Sequence, residues 1–296
     1  MNLFKGSGVA LITPFKKNGE IDYETLKKLI DFQIKNNTDA IIICGTTGEA
    51  STLSSEEQNK CIETCVEHVN KRIPVIAGTG SNCTNKAIKM AKDAEKIGVD
   101  GLLIVTPYYN KTTQQGLINH YTKIAQNTSK PIILYNVPSR TGCNLEPNTI
   151  KEIIKCNPNV TGIKEASGNI SKIAEIIDIT KNKIDVYSGN DDQIVPILSL
   201  GGVGVISVIA NILPKQTHDL VMNYLNGKTE LSKQEQIKML KLCKELFKEV
   251  NPIPVKKALE LMNLSEGTLR EPLIELQEQN IKTLKKEMIN YGIKML

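Results

Sequence analysis

One pattern governs what this chain can become: eight short, nearly continuous apolar runs, each followed by a segment with a helical apolar stripe. The runs are Val9–Thr13, Ala40–Cys44, Pro74–Ala77, Gly101–Thr106, Ile132–Val137, Val160–Lys164, Ile184–Ser188 and Val203–Val208. Rich in β-branched residues and apolar at consecutive positions, they read as parallel strands buried on both faces. The segments between them predict helices over Tyr23–Lys35, Glu56–Asn70, Thr84–Ile97, Thr113–Asn127, Glu146–Cys156, Ile170–Thr180, Asp191–Leu200 and Pro214–Asn226. Leu26, Leu29, Ile30 and Ile34 make the stripe of the first. Ser54 and Glu57 have capping-box spacing ahead of the second. Eight strand–helix pairs are the count of an α/β fold of the (β/α)8 TIM-barrel type. A doubly wound open sheet shares the alternation, because periodicity does not say whether a sheet closes, but no G-x-G-x-x-G turn follows the first run.

The barrel is expected over residues 1–226, followed by a C-terminal α-helical subdomain over 227–296. There, Ser232 with Glu235 predicts a cap opening a helix to about Val250. Pro252 and Pro254 break it, and helices near Val255–Met262 and Pro272–Tyr291 finish the chain.

Composition excludes several classes. No apolar stretch approaches the ~18 residues of a membrane span, and the start of the chain, with Pro14 closing a short apolar run, does not resemble a signal peptide. The net charge is +5, but only three basic residues are arginines, there is no Trp, and the lysines are spread along the chain. That argues against nucleic acid as a partner, while a mildly positive potential suits small anions. The seven cysteines are odd in number and form no C-x-x-C pair, so reduced thiols in a cytoplasmic protein are expected. His68, His120 and His218 all fall in predicted helices away from strand ends, so neither a metal site nor a His-based triad is expected, and no cofactor is called for.

In such a barrel the chemistry lies at the C-terminal strand ends and the loops after them. Lys164 ends the sixth apolar run. A lysine in a dry barrel mouth loses solvation, which favours the neutral amine, and a neutral amine can attack a ketone to form a Schiff base. The competing reading is a structural lysine paired with a carboxylate such as Glu165. Tyr135 ends the fifth run one strand away, either as a core tyrosine or as a phenol that shuttles protons. A phenol titrates far above neutrality and needs a relay, for which Thr46 and Tyr109 offer hydroxyls on neighbouring loops. Gly45-Thr46-Thr47-Gly48 is either an ordinary turn or a nest of backbone N–H groups suited to a small carboxylate. Arg140, on the loop after the fifth strand, has the fixed fork that suits a second carboxylate.

These residues carry a resemblance. The segments Gly8–Phe15, Gly45–Glu49, Tyr135–Gly142, Gly162–Ala166 and Asn251–Lys256, in this order and spacing, resemble the dihydrodipicolinate synthase family, in the superfamily that also holds N-acetylneuraminate lyase. The resemblance runs essentially end to end. It implies a metal-independent, class I aldolase-type condensation of pyruvate with L-aspartate-4-semialdehyde, the branch step toward diaminopimelate and lysine. It implies Lys164 as the Schiff-base lysine, Tyr135 as proton donor and acceptor, and Thr46 and Tyr109 as its relay. Thr47 would bind the pyruvate carboxylate, Arg140 the semialdehyde carboxylate, and Gly189 and Ile206 would line the site. In this family Tyr109 reaches into a neighbouring subunit, so a homo-oligomer is implied, a tetramer of two dimers. Glu165 receives no role and is taken as structural.

Feedback-inhibited members of the family often carry histidines near positions 55 and 58 and a glutamate at 86. This chain has Ser55, Gln58 and Lys86, while Asn82 and Tyr108 remain. Lys86 would repel the ammonium of bound lysine, so weak or absent inhibition is expected. Two rival readings stay open at this level: a sister aldolase acting on a sugar aldehyde, against which Ser139-Arg140-Thr141-Gly142 speaks, and a non-catalytic barrel that senses a keto acid.

Overall fold

The eight runs form eight parallel strands that close on themselves in chain order, with β1 paired to both β2 and β8. The computed structural model describes residues 3–295. The strands are β1 (Gly6–Ala10), β2 (Ala40–Ile43), β3 (Val75–Gly78), β4 (Gly101–Val105), β5 (Ile132–Asn136), β6 (Val160–Glu165), β7 (Asp185–Ser188) and β8 (Gly204–Ser207). The helices that follow are α1 (Tyr23–Lys35), α2 (Ser55–Val69), α3 (Thr84–Ile97), α4 (Gln114–Ala125), a single-turn α5 (Pro138–Thr141), α6 (Pro147–Cys156), α7 (Ile170–Thr180), α8 (Ile194–Ser199) and α9 (Pro214–Leu225). The closed barrel, and not the open sheet, is therefore the fold. Three of the predicted helices, α1, α3 and α7, have the expected boundaries. The capping box of α2 is formed: the Ser54 hydroxyl accepts from the Glu57 N–H while the Glu57 carboxylate accepts from the Ser54 N–H.

Alternation along the strands sorts apolar residues into two cores. Ile41, Ile43, Ile132 and Leu134 face the helices. Ile42, Ile76, Leu103, Ile133 and Ile206 fill the barrel. Phe4 stacks on Tyr187 at 4.5 Å and its carbonyl accepts from the Tyr187 hydroxyl at 2.8 Å, which closes the floor at the N-terminal end of β1.

Four expectations need correction. β1 lies at Gly6–Ala10, not Val9–Thr13, because Gly6 and Ser7 pair with Gly204 and Val205 of β8. A Cβ on Gly204 would meet the Gly6 carbonyl oxygen at 2.1 Å, so this seam closes only through glycine. A Gly-Ser-Gly start has no hydrophobic signature. Ser232 does not cap a helix. α10 (Thr229–Leu246) begins before it, the Ser232 hydroxyl donates to the Leu220 carbonyl of α9, and Glu235 accepts from the Tyr291 hydroxyl. That helix ends at Leu246, short of Val250. α11 (Ile253–Leu261) matches expectation within two residues, but α12 (Glu278–Tyr291) starts well after Pro272. The stretch before α12 is held instead by Arg270, which bonds to Gly19, Thr52 and Glu57 on the barrel loops.

The C-terminal helices share the barrel's outer core. Leu242, Cys243, Leu246, Val255, Ala258, Leu259, Leu284 and Met288 are all buried within it. No helix among the described residues is long and apolar enough to cross a membrane.

Candidate active site

Successive residues of a strand point to opposite sides, and at the ends of β5 and β6 this divides four polar residues into two pairs. Tyr135 and Lys164 are register partners that face the barrel; Asn136 and Glu165, also partners, face the helices. Lys164 is 5% exposed, and its Nζ lies 4.3 Å from the centroid of the Tyr135 ring. Among the described residues it meets no carboxylate within ion-pair distance and makes no hydrogen bond. The alternative of a Lys164–Glu165 pair is thereby overturned. The Glu165 carboxylate, fully buried, accepts from Asn136 Nδ2 at 3.0 and 3.2 Å and from the Ser167 N–H at 2.7 Å, and it faces Lys172 Nζ at 3.8 Å. It is structural: with Asn144, which accepts from Lys172 Nζ at 2.6 Å, it ties β6 to the loop after Arg140.

A cavity of about 470 Å3 opens at this end of the barrel, lined by Thr46, Tyr135, Val137, Arg140 and Thr141 on the side of the mouth. Lys164 is not on the cavity wall itself; it lies against the Tyr135 ring that is. The cavity extends past Ser55, Gln58, Lys86 and Tyr108. Cys44 also lines it, but contact with Cys61 and burial hold the Cys44 thiol well above the usual range, so it is no nucleophile.

The Gly45–Gly48 segment forms a turn in which the Glu49 N–H donates to the Thr46 carbonyl at 3.1 Å. No acceptor among the described residues meets the backbone N–H groups of Thr46 and Thr47, which leaves two unpaired donors on the turn, the first of them on a residue that lines the cavity. Thr47 is 2% exposed, and its hydroxyl oxygen accepts from Asn251 Nδ2 at 3.0 Å. Arg140 sits on α5, which forms because Pro138 occupies the first helical position and Gly142 closes it in the left-handed region. Its guanidinium donates to the Asn251 carbonyl at 3.1 Å and is otherwise open to the cavity. Asn251 therefore tethers both candidate carboxylate-binding residues.

Ile206 is fully buried in the inner core below the mouth. Gly189 donates its N–H to the Glu165 carbonyl at 2.8 Å, and a Cβ there would lie 2.6 Å from that of Ala166. On β8's side, Asp191 accepts from the Val208 and Ile209 N–H groups at 3.1 and 2.8 Å; burial raises its carboxyl, and Lys164 is close enough to pull the other way. Tyr109 is the exception among the expected residues. It is 90% exposed, with a φ of 68°, and is not brought to Tyr135 within this chain. The three histidines lie elsewhere: His68 faces Asp31, His120 meets Thr84, and His218 meets Asp39.

Sequence reasoning gave no role to Asn251, Glu49, Lys256 or Arg270. Glu49 and Lys256 are both almost fully enclosed and form an ion pair. Lys256 Nζ also donates to the Thr268 carbonyl at 2.8 Å and lies 4.0 Å over the Phe15 ring; Arg270 lies over the same ring at 4.5 Å. Burial lowers Lys256 to about 8, with Glu49 pulling it up and Arg270 pushing it down. The available signal was the segment Asn251–Lys256, in which two prolines and two polar residues open α11 of the helical tail.

Comparison with known proteins places the whole chain. The dihydrodipicolinate synthetase family matches residues 3–290. The 4-hydroxy-tetrahydrodipicolinate synthase of Caldicellulosiruptor bescii is 57% identical over 293 residues, spanning 99% of this chain and 99% of its own. That of Lachnoclostridium phytofermentans is 54% identical over 293 residues, spanning 99% and 100%. Among solved structures, dihydrodipicolinate synthase from Thermotoga maritima has a TM-score of 0.97 at 44% identity, covering 99% of this chain and 100% of its own. The enzyme from Aquifex aeolicus has a TM-score of 0.97 at 42% identity, covering 99% of each. With the closed barrel, the helical tail and the full-length likeness in agreement, this chain belongs to the dihydrodipicolinate synthetase family and is an enzyme of the lyase class.

Proposed function

We propose that the enzyme condenses pyruvate with L-aspartate-4-semialdehyde through a Schiff base on Lys164, as a 4-hydroxy-tetrahydrodipicolinate synthase in the diaminopimelate route to lysine. The observation that carries this reading is Lys164 itself: a buried amine with no carboxylate within ion-pair distance among the described residues, lying against a tyrosine that walls a cavity. The neutral form of this amine attacks the pyruvate ketone, and the carbinolamine loses water to give an iminium. The iminium acidifies the methyl group, a proton leaves, and the resulting enamine carbon attacks the aldehyde. Tyr135 is adjacent to the amine and carries protons to and from these intermediates. Thr46, on the same cavity, is its relay partner. Thr47 and the free turn N–H groups hold the pyruvate carboxylate, Arg140 holds that of the semialdehyde, and Gly189 and Ile206 shape the inner wall.

Tyr109 completes the relay in a neighbouring subunit. An exposed aromatic in the left-handed region on the β4–α4 loop supports that assignment, since it is 90% exposed and makes no side-chain hydrogen bond among the described residues. The working form is then a homodimer, assembled as a tetramer. All seven cysteines are free thiols, which supports a cytoplasmic setting. Lysine inhibits weakly or not at all, because Lys86 brings a second ammonium to the wall that Ser55, Gln58 and Tyr108 share. Half-inhibition at micromolar lysine in a steady-state titration refutes that part.

Borohydride reduction in the presence of pyruvate is the direct test: a mass gain of about 72 Da at Lys164 is expected. An unchanged mass overturns the reading. Rates with the semialdehyde beside N-acetylmannosamine and glyceraldehyde then fix the acceptor, and a preference for either sugar aldehyde would reassign Arg140.

A further inference from the structure

Glu49 stands one residue beyond Gly48 and closes the turn that presents Thr46 and Thr47. Its backbone has a φ of 52°, in the left-handed region that a residue with a Cβ occupies at a cost. The turn is pinned from below where the Thr13 hydroxyl donates to the Gly48 carbonyl at 2.7 Å. From above it is held by the Glu49 side chain, which turns away from the cavity into the junction between the barrel and the C-terminal helices. There it pairs with Lys256 of α11 and accepts from the Arg270 N–H at 3.2 Å. The charged groups facing this pair are Arg270, which lies on the Phe15 ring beside Lys256, and Glu57, which Arg270 binds.

A buried ion pair is a poor way to gain stability, because desolvating two charges offsets most of their attraction and an apolar pair of similar volume usually serves as well. What it does supply is direction. A carboxylate that must meet one ammonium admits a single orientation of the residue that bears it, and here that residue is the last of the turn. The two unpaired N–H groups belong to the same turn.

We propose that Glu49, through its buried pair with Lys256, is a positioning residue for the keto acid. It holds the Thr46–Glu49 turn so that the Thr46 and Thr47 donors face the carboxylate of the bound substrate. The C-terminal helical region thus acts on the first substrate without touching it. This rests on the reading of Lys164 and Thr47 given above.

The test measures borohydride trapping against pyruvate concentration in the full-length enzyme, beside the KM for the semialdehyde and the melting temperature. Glu49→Gln keeps the shape of the side chain and leaves Lys256 free to become neutral. It should raise half-saturating pyruvate roughly tenfold, inside the roughly 10²-fold that a 1 Å misplacement can cost. The semialdehyde KM should move less than half-saturating pyruvate, since Glu49 reaches Arg140 only indirectly, through Thr47 and the Asn251 that both residues bond. The double variant Glu49→Gln with Lys256→Met removes both charges. It should keep the raised half-saturation while melting close to the wild type. A folded variant of either kind that traps pyruvate at the wild-type half-saturation overturns the proposal. So does an equal loss for both substrates that tracks a lower melting temperature, and so does failure of both variants to fold, which would make the pair a stability element alone. If the wild type traps no pyruvate at all, the reading of Lys164 falls instead.

Discussion

Lys164 and Lys256 invite comparison. Both are buried, at 5% and 1% exposure, and both lie on an aromatic face, 4.3 Å from the Tyr135 centroid and 4.0 Å from that of Phe15. They differ in what holds the amine. Lys256 has Glu49 and the Thr268 carbonyl; Lys164 has neither a carboxylate nor an acceptor among the described residues. Lys172, also buried, follows the pattern of Lys256, with Glu165 and Asn144 as its partners. Burial and an aromatic neighbour therefore do not set Lys164 apart from Lys256. What sets it apart is that no carboxylate lies within ion-pair distance among the described residues, as the proposed attack on a ketone requires.

The largest expected break in the comparison is Lys164→Ala. Activity should fall to background, roughly 10⁴-fold or more, as when a covalent nucleophile is removed. The melting temperature should hold, since no ion pair is lost. A residual rate close to wild type would make Lys164 another structural lysine. Tyr135→Phe keeps the ring against the amine and removes only the hydroxyl. Turnover should drop by about 10²–10⁴, while borohydride trapping of pyruvate persists; lost trapping would mean that the hydroxyl is needed already to form the Schiff base.

On the other side, Lys256→Met strands the Glu49 carboxylate in the interior. It should cost about 3–5 kcal/mol in a denaturant titration, and adding Glu49→Gln should restore most of that. No recovery in the double variant would show that the pair is not the unit. Arg140→Ala leaves both lysines alone and should weaken the semialdehyde by roughly tenfold, the worth of a lost charged hydrogen bond. Half-saturation for pyruvate should be unchanged. The smallest effect concerns acid. Arg270 holds the Glu57 carboxyl down at about 2, so the junction loses stability as pH falls from about 4.5 toward 2, where the folded state must also take up the proton. Glu57→Gln should flatten that part of an acid-unfolding curve. An unaltered acid limb would leave Glu57 outside the junction's support.

The legible part of this protein was its repeating part. Continuous apolar runs and the 3.6-residue stripes between them gave the number and order of the eight strands and their helices, with β1 displaced by three residues, because burial on both faces of a strand needs consecutive apolar residues. Lys164 and Tyr135 stood out as polar residues ending apolar runs, and the turn and Arg140 stood out by position. Tyr109 lies 90% exposed and is not brought to Tyr135 within the described residues. The misreadings share a cause. Ser232 has the local chemistry of a cap, but the Leu220 carbonyl competes for its hydroxyl. β1 begins on glycine and serine, whose fitness for the seam depends on β8. Residues 272–277, expected as helix, lie outside α12 and follow Arg270, which bonds to loops more than two hundred positions earlier.

By itself the sequence determined the alternation of elements, the two faces of each strand and which polar side chains end a buried run. These follow from short-range periodicity and solvation. Which buried charges meet was decided only by the tertiary structure. Glu165 sits next to Lys164 in the chain and pairs with Lys172, while Glu49 finds Lys256 across the whole barrel. The pleat separates neighbours and closure joins distant residues, and that sorting leaves Lys164 without an ion-pair partner among the described residues.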